Sequence, residues 1–345
     1  MSFMLDEIHE QPHLVQKVID AERGSVRKLC RAMKERDIRL AIIAARGTSD
    51  NAALFAKYLF EIHNGIPVSL AAPSVFTLYG AEFDLSHVLV LGISQSGEST
   101  DVVEVIRGAR EMGALTACIT NVADSDLTEI SDHTLLCHAG EEKSVAATKT
   151  YTTALALIYL VSSILYGEDD LIPQLESAAG MMSRVFQVES HIEEIVQRYR
   201  YMDECKVIAR GLNLATSREA ALKLAETCYI SAESFSMADL MHGPIAVVDA
   251  GFPVFMYAPQ GKGFPTMVEL AEKLKGWDVE RIVFSSEEEI LQAATIPIKL
   301  PVVVEELYSP LVYILAGQLF AQYLSVVKGH DPDQPRGLSK VTLTM

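Results

Sequence analysis

Leu40-Ala41-Ile42-Ile43-Ala44-Ala45-Arg46-Gly47 has a counterpart 164 positions later, Glu204-Cys205-Lys206-Val207-Ile208-Ala209-Arg210-Gly211. Each is a short, mostly apolar run closed by Arg-Gly. The same offset, without a gap, brings His87-Val88-Leu89-Val90-Leu91 onto Gly251-Phe252-Pro253-Val254-Phe255, and Gly97 onto Gly261. It also brings Ala117-Cys118-Ile119 onto Arg281-Ile282-Val283, and residues 152–165 onto 316–329 in helical phase. A fixed offset held this far marks a duplication. Within each copy, apolar runs of strand length alternate with amphipathic helical stretches. That is the pattern of βαβ units, whose parallel sheet is covered on both faces.

The fold class expected is therefore α/β, with two tandem domains. Each is a parallel sheet flanked by helices, flavodoxin-like in layout. The boundaries read as a leading helical segment at 1–36, periodic from Val15 to Arg36, then a first domain at 37–167. A connecting helix at 168–197 leads into a second domain at 198–330, and a tail occupies 331–345.

Composition narrows the class of partner. Of the 345 residues 49% are hydrophobic and 22% charged, a globular balance with ample material for a core. The net charge of −17 disfavours nucleic acid and anionic lipid, so neither is expected as a partner. An anionic ligand must then be caught by local donors. The five cysteines are odd in number and include no C-x-x-C pair, which fits a reducing cytoplasm. The acidic first eleven residues do not read as a signal peptide. The apolar stretch from Leu155 to Tyr166 is too short to span a bilayer. The nine histidines show no metal-ligand spacing, so neither a metal nor another cofactor is expected.

The first copy carries a candidate anion site. Its second apolar run ends in Ser94-Gln95-Ser96-Gly97-Glu98-Ser99-Thr100, and a helix begins near Asp101. Hydroxyl donors, a glycine that permits close approach, and the free N–H groups of a helix start converge there. Thr48 and Ser49, after the neighbouring run, supply a second hydroxyl pair at the same sheet edge. A Ser-rich turn with helix-capping hydroxyls would show the same residues. The matching loop, Ala258-Pro259-Gln260-Gly261, has lost its hydroxyls. Hydroxyls needed only for structure would be needed twice, so one phosphate per chain is expected.

The second copy carries ionisable groups instead. Lys223 and Glu226 stand three apart on a helical stretch and share a face, as a proton-transfer pair or as a surface ion pair would. His242-Gly243-Pro244 follows on a loop. Near the end, Asp333-Gln334-Pro335-Arg336-Gly337-Leu338-Ser339-Lys340 offers an amine in an apolar tail, either a nucleophile or a solvated lysine.

The ordered set of motifs resembles a known family. Glu10-Gln11-Pro12, Gly47-Thr48-Ser49, Ser94-Gln95-Ser96-Gly97-Glu98 and Val145-Ala146-Ala147-Thr148-Lys149 come first. Leu222-Lys223-Leu224-Ala225-Glu226, His242-Gly243-Pro244 and Asp333-Gln334-Pro335-Arg336 follow. In that order they resemble the sugar-isomerase (SIS) half of glucosamine-6-phosphate synthase and stand-alone relatives that deaminate amino-sugar phosphates. The resemblance implies a phosphosugar enzyme. Thr48, Ser49, Ser94, Gln95, Ser96 and Ser99 would hold the phosphate, and Val145 and Ser339 would contact the sugar. It further implies that Glu226 moves a proton between C1 and C2 with Lys223 beside it. His242 would assist ring opening from the other subunit of a homodimer, and Lys340 would form an imine with the open-chain ketose.

Some positions depart from the synthases. Arg46 stands where they have Cys, Ala147 where they have Ser, Ser99 where they have Thr, Gly337 where they have Asn, and Ser339 where they have Ala. The sequence also starts at the isomerase half, without a glutaminase to supply ammonia. The expected reaction is then glucosamine 6-phosphate to fructose 6-phosphate plus ammonia. Cleavage of fructosamine 6-phosphates, another phosphosugar isomerisation, and a non-catalytic sugar-phosphate sensor are the alternatives.

Overall fold

The computed structural model describes residues 2–167 and 171–340. The first three positions of the expected connector and the last five of the tail lie outside the described residues. The chain divides into two compact units. A first-sheet unit gathers residues 13–142, 147–167, 171–176 and 338–340. A second-sheet unit gathers residues 2–12, 143–146 and 177–337.

The first-sheet unit holds five strands: β1 (Leu40–Ala45), β2 (Val68–Leu70), β3 (Val88–Ile93), β4 (Leu115–Thr120) and β5 (His133–Leu136). They pair in the order β2-β1-β3-β4-β5, all in parallel. Every residue of β3 and β4 is buried, as expected of central strands covered on both faces. The helix Thr100–Glu111 packs Val102, Val105 and Ile106 into a core with Val90 and Cys118.

The second-sheet unit repeats the plan with β6 (Glu204–Ala209), β7 (Ser231–Ser236), β8 (Pro253–Tyr257), β9 (Glu280–Ser285) and β10 (Ile296–Lys299). Their order, β7-β6-β8-β9-β10, is the order of the first sheet. The duplication read from the sequence is accurate to the residue in places. β6 starts and ends 164 positions after β1. The helix Phe264–Lys275 does the same with respect to Thr100–Glu111. The two-domain α/β expectation with parallel, helix-flanked sheets is met.

The longest apolar helix is Ser309–Val327, which buries nearly all its side chains inside its own unit. By length and composition the stretch Glu306–Val327 could cross a bilayer, but 83% of its apolar window is buried in the protein, as in a core helix.

The leading helix differs from its expected extent. It starts at Phe3, not near Val15, and runs to Glu35 through Pro12. The reason lies far along the chain. The Asp333 carboxylate accepts from the amides of Phe3 and Met4, both at 2.8 Å, and satisfies two N–H groups that a first turn leaves open. A cap supplied from 330 residues away leaves no local signal.

Candidate functional site

In the first-sheet unit the site grows from the register of two neighbouring strands. Ala45 at the end of β1 lies opposite Ile93 at the end of β3, so the chain leaves the sheet side by side at Arg46 and Ser94. Their carboxyl ends define the edge where ligands bind in such sheets. After β3 the loop is braced from within. The Ser94 hydroxyl accepts the Gly97 amide and the Ser96 hydroxyl accepts the Glu98 amide, each at 3.2 Å. A hydroxyl that accepts an amide keeps its own hydrogen to donate, so the loop holds two oriented donors. Ser99 sits at the N-cap of the helix Thr100–Glu111 and makes no side-chain cap. Capping thus does not explain the Ser99 hydroxyl.

Gly97 is required, for a reason other than ligand approach. Its φ is 71°, and a Cβ there would come within 2.5 Å of Ser125 Cβ. The glycine lets the loop close against Ser125.

Thr48, Ser49 and Gln95 line one small cavity of about 30 Å³. Ala147, Thr150, Tyr151 and Cys137 form part of its wall. Burial pushes the Cys137 thiol up to about 12, so it stays protonated and unreactive. Arg46, at the mouth of the β1 loop, points its guanidinium at the Asp101 carboxylate, with Nε at 3.0 Å and Nη2 at 2.5 Å. Asp101 is buried in the first turn of the helix, where a carboxylate also meets the positive end of the helix dipole. This pair joins residues 55 positions apart and was not anticipated.

Glu142 is the residue the sequence reading missed. Its side chain has no solvent exposure, and its Oε1 accepts the amides of Thr148 and Thr150 at 3.0 and 3.1 Å. Its Oε2 accepts the Thr150 hydroxyl at 2.8 Å and the Lys340 ammonium at 2.9 Å. Burial alone would raise this carboxyl. The Lys340 charge and the threonine amides outweigh burial and hold it below the ordinary carboxylate range. Lys340 is therefore not a solvated terminal lysine: its side chain is 27% exposed and anchored. Thr150 is shared between the cavity wall and Glu142, so the amine is tied to the cavity by two steps. Ser339, next to it, is exposed.

In the second-sheet unit the helix Leu214–Cys228 carries Lys223 and Glu226 on one face, as the spacing implies. The surface ion pair is excluded, because Lys223 has no exposure. Its ammonium lies 2.6 Å from Glu226 and 3.3 Å from Glu219, which is itself fully buried. Burial would lower the Lys223 ammonium, but the two carboxylates push it well above its ordinary value. Glu226 keeps 23% exposure, so it is the member of the trio able to meet a substrate while Lys223 holds it in place. His242 caps the short helix Met237–Met241 and is exposed. Val145 donates its amide to the Asp333 carbonyl at 3.1 Å.

The chain is similar to curated proteins and to solved structures. It is 35% identical, over 98% of its length, to a glutamine–fructose-6-phosphate aminotransferase (isomerizing) of Thermococcus kodakarensis, and spans 57% of that relative's length. The C-terminal domain of glucosamine-fructose-6-phosphate aminotransferase from Francisella tularensis superposes with a TM-score of 0.88 at 26% identity, covering 97% of this chain and 98% of that one. A protein of Silicibacter pomeroyi DSS-3, provisionally described as a phosphosugar isomerase, superposes at 0.85 with 33% identity, covering 96% and 100%. The model of the SIS domain matches residues 36–163 and again 204–328, once over each sheet, and on that ground the chain belongs to the SIS domain family.

Proposed function

We propose that this protein is a sugar-phosphate isomerase that deaminates glucosamine 6-phosphate to fructose 6-phosphate and ammonia. One observation carries the reading: an amine, Lys340, held by a buried carboxylate that shares Thr150 with the cavity wall beside Gln95, Thr48 and Ser49. An aldose–ketose isomerisation alone needs only a base. An amine nucleophile has a use when C2 of the sugar bears nitrogen.

The steps follow from that. Ser49, Ser94, Gln95, Ser96, Ser99 and Thr48 hold the phosphate, and Val145 and Ser339 contact the sugar. His242 assists ring opening to the aldehyde. Glu226 takes the C2 proton and returns it to C1, leaving an imine at C2. Lys340 attacks that imine: the C2–N bond to the amino group breaks, a C2–N bond to Lys340 forms, and the two protons that leave the Lys340 ammonium depart with ammonia. Water then hydrolyses the lysine imine to the C2 ketone and the free amine. Glu142, which holds the Lys340 ammonium, accepts a proton from it to free the lone pair for attack and returns that proton to the departing nitrogen.

The protein is further proposed to work as a homodimer in the cytoplasm, with His242 serving the partner subunit. The exposure of His242 and the five free, buried cysteines support these two points. The test is reductive trapping. Borohydride added with fructose 6-phosphate should fix one sugar on Lys340, found by peptide mass spectrometry. A trapped sugar on another lysine, or none under turnover conditions, would contradict the role of Lys340.

A further inference from the structure

The duplication leaves a second strand-end loop. In the second-sheet unit β8 runs into Ala258-Pro259-Gln260-Gly261-Lys262-Gly263 and then the helix Phe264–Lys275. This loop stands where the hydroxyl-rich loop stands in the first copy, and it is filled. The Glu306 carboxylate lies in it, with Oε2 accepting the Lys262 amide at 2.7 Å and Oε1 accepting the Gly263 amide at 3.4 Å. Glu306 packs so closely that a Cβ on Gly261, whose φ is 154°, would stand 2.6 Å from Glu306 Cβ. Arg210 closes another side, its Cβ and Cγ 3.0 Å from where a Cβ on Gly263 would stand. Successive amides at the start of a 12-residue helix, closed on a carboxylate, form an occupied anion nest.

The identity of the occupant is informative. Glu306 stands 164 positions after Glu142, so the two are the same residue of the repeat. Neighbouring Glu141 and Glu305 match as well. In the first-sheet unit Glu142 turns to Thr148, Thr150 and Lys340. In the second-sheet unit its counterpart turns into the loop. A helix start that begins earlier separates them: Ser309–Val327 opens four positions before the counterpart of Lys149, where the first copy's helix opens.

We propose that Glu306 is the built-in occupant of the second anion cradle and excludes phosphate from it, by charge and by volume. This explains why a chain with two cradles takes one sugar phosphate. The count of one rests on the phosphate reading of the first loop; the occlusion of the second does not.

Amide NMR during titration with inorganic phosphate separates the two. In Glu306→Ala the Lys262 and Gly263 amides should shift saturably with phosphate, and in the native protein they should respond at least tenfold more weakly. Glu306→Gln keeps the side-chain volume and serves if the alanine form does not fold. It should respond in the same direction at higher phosphate. The Ser96 and Gly97 amides report the first cradle independently. Silence at Ser96 and Gly97 with a response at Lys262 and Gly263 would remove the phosphate reading of the first loop and leave the occlusion standing. Silence at Lys262 and Gly263 in both variants would overturn the proposal.

Discussion

Lys340 places its ammonium 2.9 Å from Glu142 Oε2, and the Glu142 side chain has no exposure to solvent. The contact anchors the Lys340 side chain, and under the proposed function it makes Glu142 a determinant of chemistry as well as of stability.

Replacing Glu142 tests the chemical side. Glu142→Gln keeps the threonine bonds in outline and removes the charge that holds Lys340. Turnover should fall by about 10–100-fold, the usual cost of losing a residue that orients a reacting group. Affinity for a sugar phosphate should change little, because the hydroxyl loop is untouched. Steady-state kinetics beside equilibrium binding separates the two quantities.

Acid titration tests the stability side. The folded-state carboxyl of Glu142 is depressed, so its stabilisation is present above the ordinary carboxylate range and lost as pH falls through the depressed value. Native protein should lose melting temperature on acidification through and below that range. Glu142→Gln should lose less over the same interval. Parallel curves would show that Glu142 is not the responsible group.

Lys223 is fully buried, so replacing it tests the fold as well as the proposed site. Lys223→Met would remove the ammonium 3.3 Å from the buried Glu219 carboxylate, and breaking a buried ion pair costs about 3–5 kcal/mol. A large fall in the chemical-denaturation midpoint is expected. Glu226→Gln, on a partly exposed residue, should fold normally and lose about 10²–10⁴-fold in turnover while still binding sugar phosphate.

Within the proposed phosphate loop, Ser96→Ala should weaken substrate affinity more than it lowers turnover. Gly97→Ala forces a non-glycine residue to positive φ against Ser125 and should destabilise by about 1–3 kcal/mol. Thermal melts of the two variants should therefore separate, with Ser96→Ala near native.

The fold was legible because duplication prints the same pattern twice, and the offset that aligns Arg46-Gly47 with Arg210-Gly211 aligns strands and helices in the structure. The hydroxyl-rich loop from Ser94 to Thr100 was legible at a strand end because its residues are contiguous. What escaped were partners far apart in sequence. Arg46 finds Asp101, Asp333 caps the helix at Phe3, and Glu142 finds Lys340 across 198 positions. The spacing of Lys223 and Glu226 gave their shared face but not the burial of that face, which depends on Glu219 and on neighbouring helices. Glu142 did leave one trace: Glu141-Glu142 recurs as Glu305-Glu306 at the repeat offset.

Release of ammonia from glucosamine 6-phosphate is the decisive assay for the proposed deamination. The pure protein should form ammonia and fructose 6-phosphate in equal amounts, and Lys340→Met should abolish both. Absence of ammonia from protein that binds the sugar phosphate, or turnover of a fructosamine 6-phosphate adduct in its place, would contradict the assignment.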